Sequence, residues 1–305
     1  MQRSKALPLG LRCRAATMSA VRWLLLAGYI WDWLLAVTLI IVNFTIPGEV
    51  IPPLERMWFP NDPTLSYPPT RSWLSERGKF PVEFGIPLLV TALAQVHSRS
   101  LLDWHHFALA LIEAFAIESS FKKWMNLVGK PRPDWYARVA TGDPAVMRDG
   151  RTSYPSGHAA ETFMAFGLLS LYLMAKLKLF TRQSQGHFAK VMLCLLPLGF
   201  AAFITMSRVA AYKHDFADVN AGMLIGLCSG VLAYLINYKN PLCHETAARP
   251  RVRPIPATPA WLKQLLGADA EVVSNASMAQ EAGLGEHDAR DPLLGPTEAG
   301  AAWTA

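Results

Sequence analysis

Two histidines and two arginines stand out in this sequence because each sits in a short polar cluster set against a long apolar run. Ionisable side chains are costly near a bilayer, so their accumulation at such borders calls for a reason. Gly129-Lys130-Pro131-Arg132-Pro133-Asp134 is the first cluster, Ser153-Tyr154-Pro155-Ser156-Gly157-His158 the second, and Ser207-Arg208 with His214 and Asp218 the third. Arg132 and Arg208 offer planar forks of donors that match phosphate oxygens. Ser156-Gly157 at the start of a helix would aim backbone N–H groups at an anion, which completes a phosphate cradle. The histidines then supply what phosphoryl transfer needs, His214 as nucleophile and His158 as the acid that protonates the leaving oxygen. His214 lies four residues before Asp218, so on a helix they share a face and the carboxylate can accept from one ring nitrogen, leaving the other to attack. No carboxylate cluster suited to magnesium accompanies these residues, so a metal-independent reaction without a cofactor is expected.

These clusters must be held by elements that face lipid. Hydrophobic residues make up 52% of the 305 residues and charged residues 17%, well under the roughly 25% charged content of soluble domains. The net charge of +6 would also suit a nucleic-acid binder, but the basic residues lie between apolar runs, so the expected partner is a bilayer and no nucleic acid. Apolar stretches at about 21–43, 80–97, 105–122, 158–178, 188–206 and 217–237 approach the roughly 17–25 residues that a helix needs to cross a membrane. The expected fold is therefore an all-α, polytopic, six-helix membrane bundle. Lys and Arg residues before the first span, after the fourth and after the sixth put both termini in the cytosol. The first two clusters share one loop and the third is two spans away, so all three emerge on one face, lumenal or extracellular.

The remaining charged residues have plainer readings. Lys130, Arg138, Arg148 and Arg151 are expected to anchor lipid headgroups or to line the substrate's approach. Asp32, Glu113 and Glu118, inside apolar runs, are expected to make structural hydrogen bonds. Residues 1–20 read as a basic cytosolic tail, and 241–305, rich in Pro, Ala, Gly and Glu, as a disordered cytosolic one. Cys13, Cys194, Cys228 and Cys243 have neither metal-ligand nor disulfide-framework spacing.

Arg132-Pro133, Pro155-Ser156-Gly157-His158, and Ser207-Arg208 with His214 and Asp218 resemble the three signature motifs of the type 2 phosphatidic acid phosphatase superfamily, also called lipid phosphate phosphatases. The family's third motif runs Ser-Arg, five residues, His, three residues, Asp, and the chain matches it throughout. Asn61-Asp62-Pro63-Thr64-Leu65-Ser66-Tyr67-Pro68 is similar to the loop between the first two spans of the family's diacylglycerol pyrophosphate and phosphatidate phosphatases. The resemblance covers roughly residues 21–240, implying a six-helix membrane phosphatase domain over that range. It implies hydrolysis of phosphatidate, lysophosphatidate or diacylglycerol pyrophosphate through a phosphohistidine on His214. In that scheme His158 is the acid, Asp218 supports His214, and Arg132, Arg208, Ser156 and Gly157 hold the phosphate. The chain departs from the family at Met125, where the first motif begins with a lysine. Lys122, one helical turn earlier, or Lys123 supplies the missing cation; otherwise the site lacks one contact, or the chain is a reduced-activity relative. The alternatives are a phosphatase of sugar or sphingoid phosphates, and a relative that binds a lipid phosphate without cleaving it.

Overall fold

The computed structural model describes residues 28–70, 74, 76–98, 100–181 and 187–253. Helix α1 (Tyr29–Thr45) is a run of Leu, Ile and Val that loosens into a π-helical turn, Ile46–Val50, where Pro47 and Gly48 interrupt the pattern. A short helix, α2 (Glu76–Phe80), passes through a second π turn, Pro81–Gly85, into α3 (Ile86–Ser98). Pro81 and Pro87 bring no backbone N–H, and a widened turn is one way a helix absorbs that loss. Next come α4 (Leu101–Asn126), the short helices α5 (Trp135–Val139) and α6 (Pro144–Gly150), and then α7 (Gly157–Lys176), α8 (Phe188–Ala210) and α9 (Phe216–Asn237).

Five stretches are long and apolar enough to cross a membrane: Tyr29–Val50, Gly78–Val96, Gly157–Lys176, Phe188–Ala210 and Phe216–Asn237. They overlap five of the six expected spans; the first runs on to Val50 where the expected end is 43, and residues 21–27 lie outside the described part. The chain is thus an integral membrane protein that is helical as expected. Helix α4 occupies the place of the remaining span and is 26 residues long, about 39 Å at 1.5 Å per residue. Asp103, His105, His106, Glu113, Glu118, Lys122 and Lys123 make it too polar to qualify by composition, and most of these side chains turn inward.

Helix α7 is the centre of the bundle, 78% of its span being buried against 17% for α1 and 22% for α8. An element that touches lipid on no side can be apolar all round, and Ala159, Ala160, Phe163, Met164, Phe166, Leu168 and Leu169 are all buried. Helix α9 approaches it most closely. Gly222, Gly226 and Gly230 form a stripe along α9, and a Cβ added at these positions would come within 2.6, 2.2 and 2.9 Å of the carbonyl oxygens of Ser156, Ala160 and Met164. Small residues at four-residue spacing let two helix backbones touch, the usual route to tight packing where lipid removes the hydrophobic driving force.

Beyond α9, residues 239–253 turn back on the bundle: Lys239 N–H donates to Arg249 O (2.9 Å) and Arg251 N–H to Asn237 O (2.8 Å). Arg253 then pairs with Asp32 at 2.5 Å and its N–H donates to the Tyr29 hydroxyl at 3.0 Å. The intramembrane carboxylate Asp32 therefore has the structural role expected of it, and Glu113 likewise accepts from Asn237. The rest of the expected C-terminal tail, 254–305, and the N-terminal tail, 1–20, lie outside the described residues. Cys194, Cys228 and Cys243 are free thiols.

Gly226→Ala should cost about 1–3 kcal/mol, because its methyl group overlaps a backbone carbonyl that has nowhere to go. Gly199→Ala, with nothing within 4 Å of the added methyl, should be neutral. Thermal unfolding of the detergent-solubilised variants measures both, and equal melting temperatures would count against the close α7–α9 approach.

Candidate active site

The first cluster leaves α4 through a turn that only glycine can make. Gly129 has φ +76°, and a Cβ there would lie 1.8 Å from Leu54 O. The chain then doubles back so that Arg132 N–H donates to Gly150 O (2.8 Å) and Ser153 N–H to Lys130 O (3.1 Å), aligning the first cluster with the second. Asn126, the last residue of α4, donates its side-chain amide to Tyr154 O (2.9 Å) and Pro155 O (3.2 Å). Ser156 caps α7, accepting from Ala159 N–H at 3.5 Å, while its own N–H donates to Asp218 O at 3.0 Å. The second and third clusters are thereby joined at the end of the glycine stripe.

His214 is almost fully buried in this junction. Its Nδ1 lies 2.9 Å from Ser153 O and its Nε2 lies 3.5 Å from Arg132 Nη1. A carbonyl can only accept, so Nδ1 carries the proton and Nε2 keeps its lone pair facing the guanidinium. Burial first, and then the Arg132 charge, push the His214 pKa down to about 4, against the opposing effect of Asp218. The imidazole is therefore the free base at neutral pH.

The relation of His214 to Asp218 differs from the expected shared helix face. Helix α9 begins at Phe216 with Asp215 as its cap, so His214 precedes the helix. Asp215 and Asp218 form a reciprocal capping box, with Asp218 N–H donating to Asp215 Oδ1 at 2.9 Å. Asp218 Oδ2 still comes within 3.5 Å of His214 Nδ1, but the closer partner of that nitrogen is the Ser153 carbonyl. Fully buried, Asp218 accepts from the Ser153 hydroxyl and pairs with Lys130 at 2.7 Å. Lys130 also pairs with Asp215. Burial draws the Lys130 pKa down, and the bonds to Asp215 and Asp218 outweigh it, for a net rise.

Lys130 is thus no headgroup anchor, and its three companions are engaged as well. Arg138 bonds Asp134 and Asp149 at 2.7 Å each, Arg148 donates to Gly48 O (2.8 Å) and Ile51 O (3.0 Å), and Arg151 stacks over Trp135. The physical reason is the same for all four: carboxylates, carbonyls or an aromatic face within reach compete better for a cation than a distant headgroup does. Asp149 also accepts from Arg132 Nη2 at 3.1 Å, holding that guanidinium beside His214.

Arg208 is buried near the end of α8, donating to Leu74 O at 3.5 Å. His158, equally buried on the first turn of α7, feels the charges of Arg208, Lys79, Glu161 and His214. Lys122 sits beneath the cradle: a Cβ at Gly157 would lie 3.7 Å from its Nζ. Its ammonium is held by Glu161 and by Glu118 (3.2 Å), and Glu161 also pairs with Lys79 at 2.7 Å. Lys123 points elsewhere, its Nζ 4.0 Å above the Phe44 ring. Arg132, His158, Arg208, His214, Ser156, Gly157 and Asp218 gather at one end of the bundle, with Lys122 behind them. Ser153, Asp215, Lys79 and Glu161 have no role that the sequence reading assigns, and Lys130 has a different one there. Of these, only Asp215, three residues before Asp218 at a helix start, carries a readable capping signal.

Comparison with known proteins adds independent findings. The family described as the PAP2 superfamily matches residues 104–242. A PA-phosphatase related-family protein of Dictyostelium discoideum is 34% identical over 233 residues, covering 73% of this chain and 84% of the relative. Lipid phosphate phosphatase 2 of Arabidopsis thaliana is 30% identical, covering 69% and 77%. Diacylglycerol pyrophosphate phosphatase 1 of Saccharomyces cerevisiae is 26% identical, covering 64% and 74%. No solved structure matches the chain.

His214 should protonate only as the pH falls through about 4, and Arg132→Gln should move that titration upward by removing a neighbouring positive charge. NMR of histidine-labelled protein in micelles reads both; an ordinary titration in the parent protein would contradict the buried, arginine-flanked geometry.

Proposed function

The chain belongs to the PAP2 superfamily, and on that premise we propose that it hydrolyses lipid phosphates through a phosphohistidine on His214, without a metal ion. The supporting observation is the fixed imidazole: Nδ1 is tied to Ser153 O at 2.9 Å and Nε2 is turned to Arg132 at 3.5 Å. The lone pair of Nε2 attacks phosphorus, the ester or anhydride P–O bond breaks, and its electron pair goes to the leaving oxygen, which takes a proton from His158, an imidazolium while the negative phosphate is beside it. Arg132, Arg208, the Ser156 hydroxyl and the Gly157 backbone hold the charge on the equatorial oxygens, and Lys122 adds positive potential from behind Gly157. The phosphorylated ring keeps its Nδ1 proton and is cationic, and the Ser153 carbonyl and the Asp218 carboxylate stabilise that charge. Water then attacks phosphorus, His158 takes its proton, and the P–N bond breaks to release phosphate and restore His214.

Metal independence is part of the proposal, because the carboxylate nearest the nucleophile is already occupied. Asp218 is taken up by Lys130 and Ser153, and Asp215 by Lys130. The substrates that fit the reading are phosphatidate, lysophosphatidate and diacylglycerol pyrophosphate, the last named for two of the relatives. The site faces the lumen or the cell exterior, with both termini in the cytosol, so that a phosphorylated lipid reaches it within its own leaflet.

Phosphate release from phosphatidate micelles should exceed release from glucose 6-phosphate and should persist in excess EDTA. His214→Ala should lower it by on the order of 10³ or more, and His158→Ala by about 10²–10⁴. Full activity of His214→Ala, or its abolition by EDTA, would defeat the scheme.

A further inference from the structure

A single guanidinium stands between the two segments that bring Arg132 and His214 together. Arg138, on α5, donates Nε to Asp134 Oδ1 and Nη1 to Asp149 Oδ2, both at 2.7 Å. Each carboxylate has a second cation. Asp149 accepts from Arg132 twice, from Nε at its carbonyl oxygen and from Nη2 at Oδ1, 3.1 Å each. Asp134 accepts from the Lys213 ammonium at 2.8 Å, and Lys213 is the chain neighbour of His214. Arg132 Nη1 lies 3.5 Å from His214 Nε2. The series Lys213, Asp134, Arg138, Asp149 and Arg132 thus alternates in charge and closes on the nucleophile.

The backbone supports this ring at several points. Asp134 precedes α5 but caps nothing with its side chain; it is 1% exposed, and both its oxygens go to the two cations. The stem of Arg138 crosses Gly150 at the end of α6, where a Cβ would come 2.8 Å from Arg138 Cδ and 2.9 Å from the Trp135 ring. A larger residue there would push the guanidinium off its partners. Lys213 N–H donates to Arg208 O at 3.0 Å, so the residue that reaches Asp134 also ties the end of α8 to the turn that carries His214. Asp149 is the exposed member, its side chain 56% accessible, and an isolated ion pair there would contribute little. Its two bonds to Arg132, one from backbone and one from side chain, fix the plane of the guanidinium as well as its place. Nε and Nη2 of Arg132 are thereby taken, which turns Nη1 toward His214.

Resting on the phosphatase reading above, we propose that Arg138 is a positioning residue for phosphoryl transfer: by bridging Asp134 and Asp149 it sets the separation of the Arg132 fork from the His214 imidazole. Arg138 itself touches neither substrate nor the reacting atoms. Through Asp149 it holds Arg132 where Nη1 meets an equatorial phosphate oxygen, and through Asp134 and Lys213 it holds the turn that carries the nucleophile. Arg132 and His214 lie 82 residues apart in the chain, so the bridge acts where a drift of about 1 Å would lower the rate on the order of 10²-fold. Charge alone does not suffice. The two carboxylates are met by different nitrogens of one rigid fork, and a lysine ammonium cannot stand in both places.

The test is kcat and KM for phosphatidate in mixed micelles, per mole of full-length protein recovered monodisperse in detergent. Arg138→Lys, which keeps the charge and loses the bridge, should lower kcat about tenfold or more and leave KM within about twofold; Arg138→Gln should lower kcat to a similar extent. Lys213→Gln, at a side chain that reaches the surface, should lower kcat about threefold or more, and Lys213→Arg should restore most of it. Parent-like kcat in either Arg138→Lys or Lys213→Gln, or a loss confined to KM, overturns the positioning role while the phosphatase reading stands. A parent protein that releases no phosphate from phosphatidate overturns that reading and the proposal with it.

Discussion

Everything at the active end depends on how closely α7 and α9 approach. Three glycines on α9 let its backbone lie against the carbonyls of Ser156, Ala160 and Met164. The first of these carbonyls belongs to the cap of α7, whose N–H in turn donates to Asp218 O. The helix start that carries His158 and the helix start that follows His214 are therefore one packed unit. Wider spacing would move His158 and His214 apart, and the phosphoryl transfer proposed for them would lose orders of magnitude in rate from a positioning error of about 1 Å.

The second constraint is charge in a low dielectric. A buried carboxylate or ammonium persists as an ion only with partners, and the site distributes them in two layers. Next to the nucleophile, Asp218 is held by Lys130, Ser153 and the Asp215 amide. Below the cradle, Lys79 and Lys122 share Glu161, and Glu118 and the buried Glu83 belong to the same cluster. The lower layer places the Lys122 ammonium under Gly157 with its charge matched by carboxylates, which bears on the missing lysine at Met125: a cation is present, but Glu161 and Glu118 already hold it. The upper layer keeps Asp218 from drifting and fixes the Ser153 strand whose carbonyl sets the His214 tautomer.

The loop between α1 and α2 is tied to the same clusters. Leu54, Asp62 and Tyr67 tie it to residues around the first cluster, and the Tyr67–Tyr212 stack ties it to the third. An extramembrane loop of this kind would ordinarily be the most mobile part of such a protein. Here its backbone groups are satisfied by the segments around Arg132, and the ring stack ties it to the turn before His214, so the loop and His214 are positioned together.

Residue types and spacing determined a good deal. Long apolar runs can only be helices in lipid, which made five spans readable within a few residues. Ser207-Arg208 with His214 and Asp218 could be seen as one chemical unit with the Arg132 and Ser156-Gly157-His158 clusters, because phosphate, imidazole and guanidinium have matching charge and geometry in any fold. What sequence left open were contacts between distant segments: that Lys130 turns in to Asp218 and not out to a headgroup, that Lys122 is taken by Glu161, and that His214 is oriented by the Ser153 carbonyl from before the helix and not by Asp218 along it. Those outcomes depend on which backbones can come within hydrogen-bonding distance, and that was decided by the glycines packing α9 onto α7, a property of two helices in contact that neither helix carries alone.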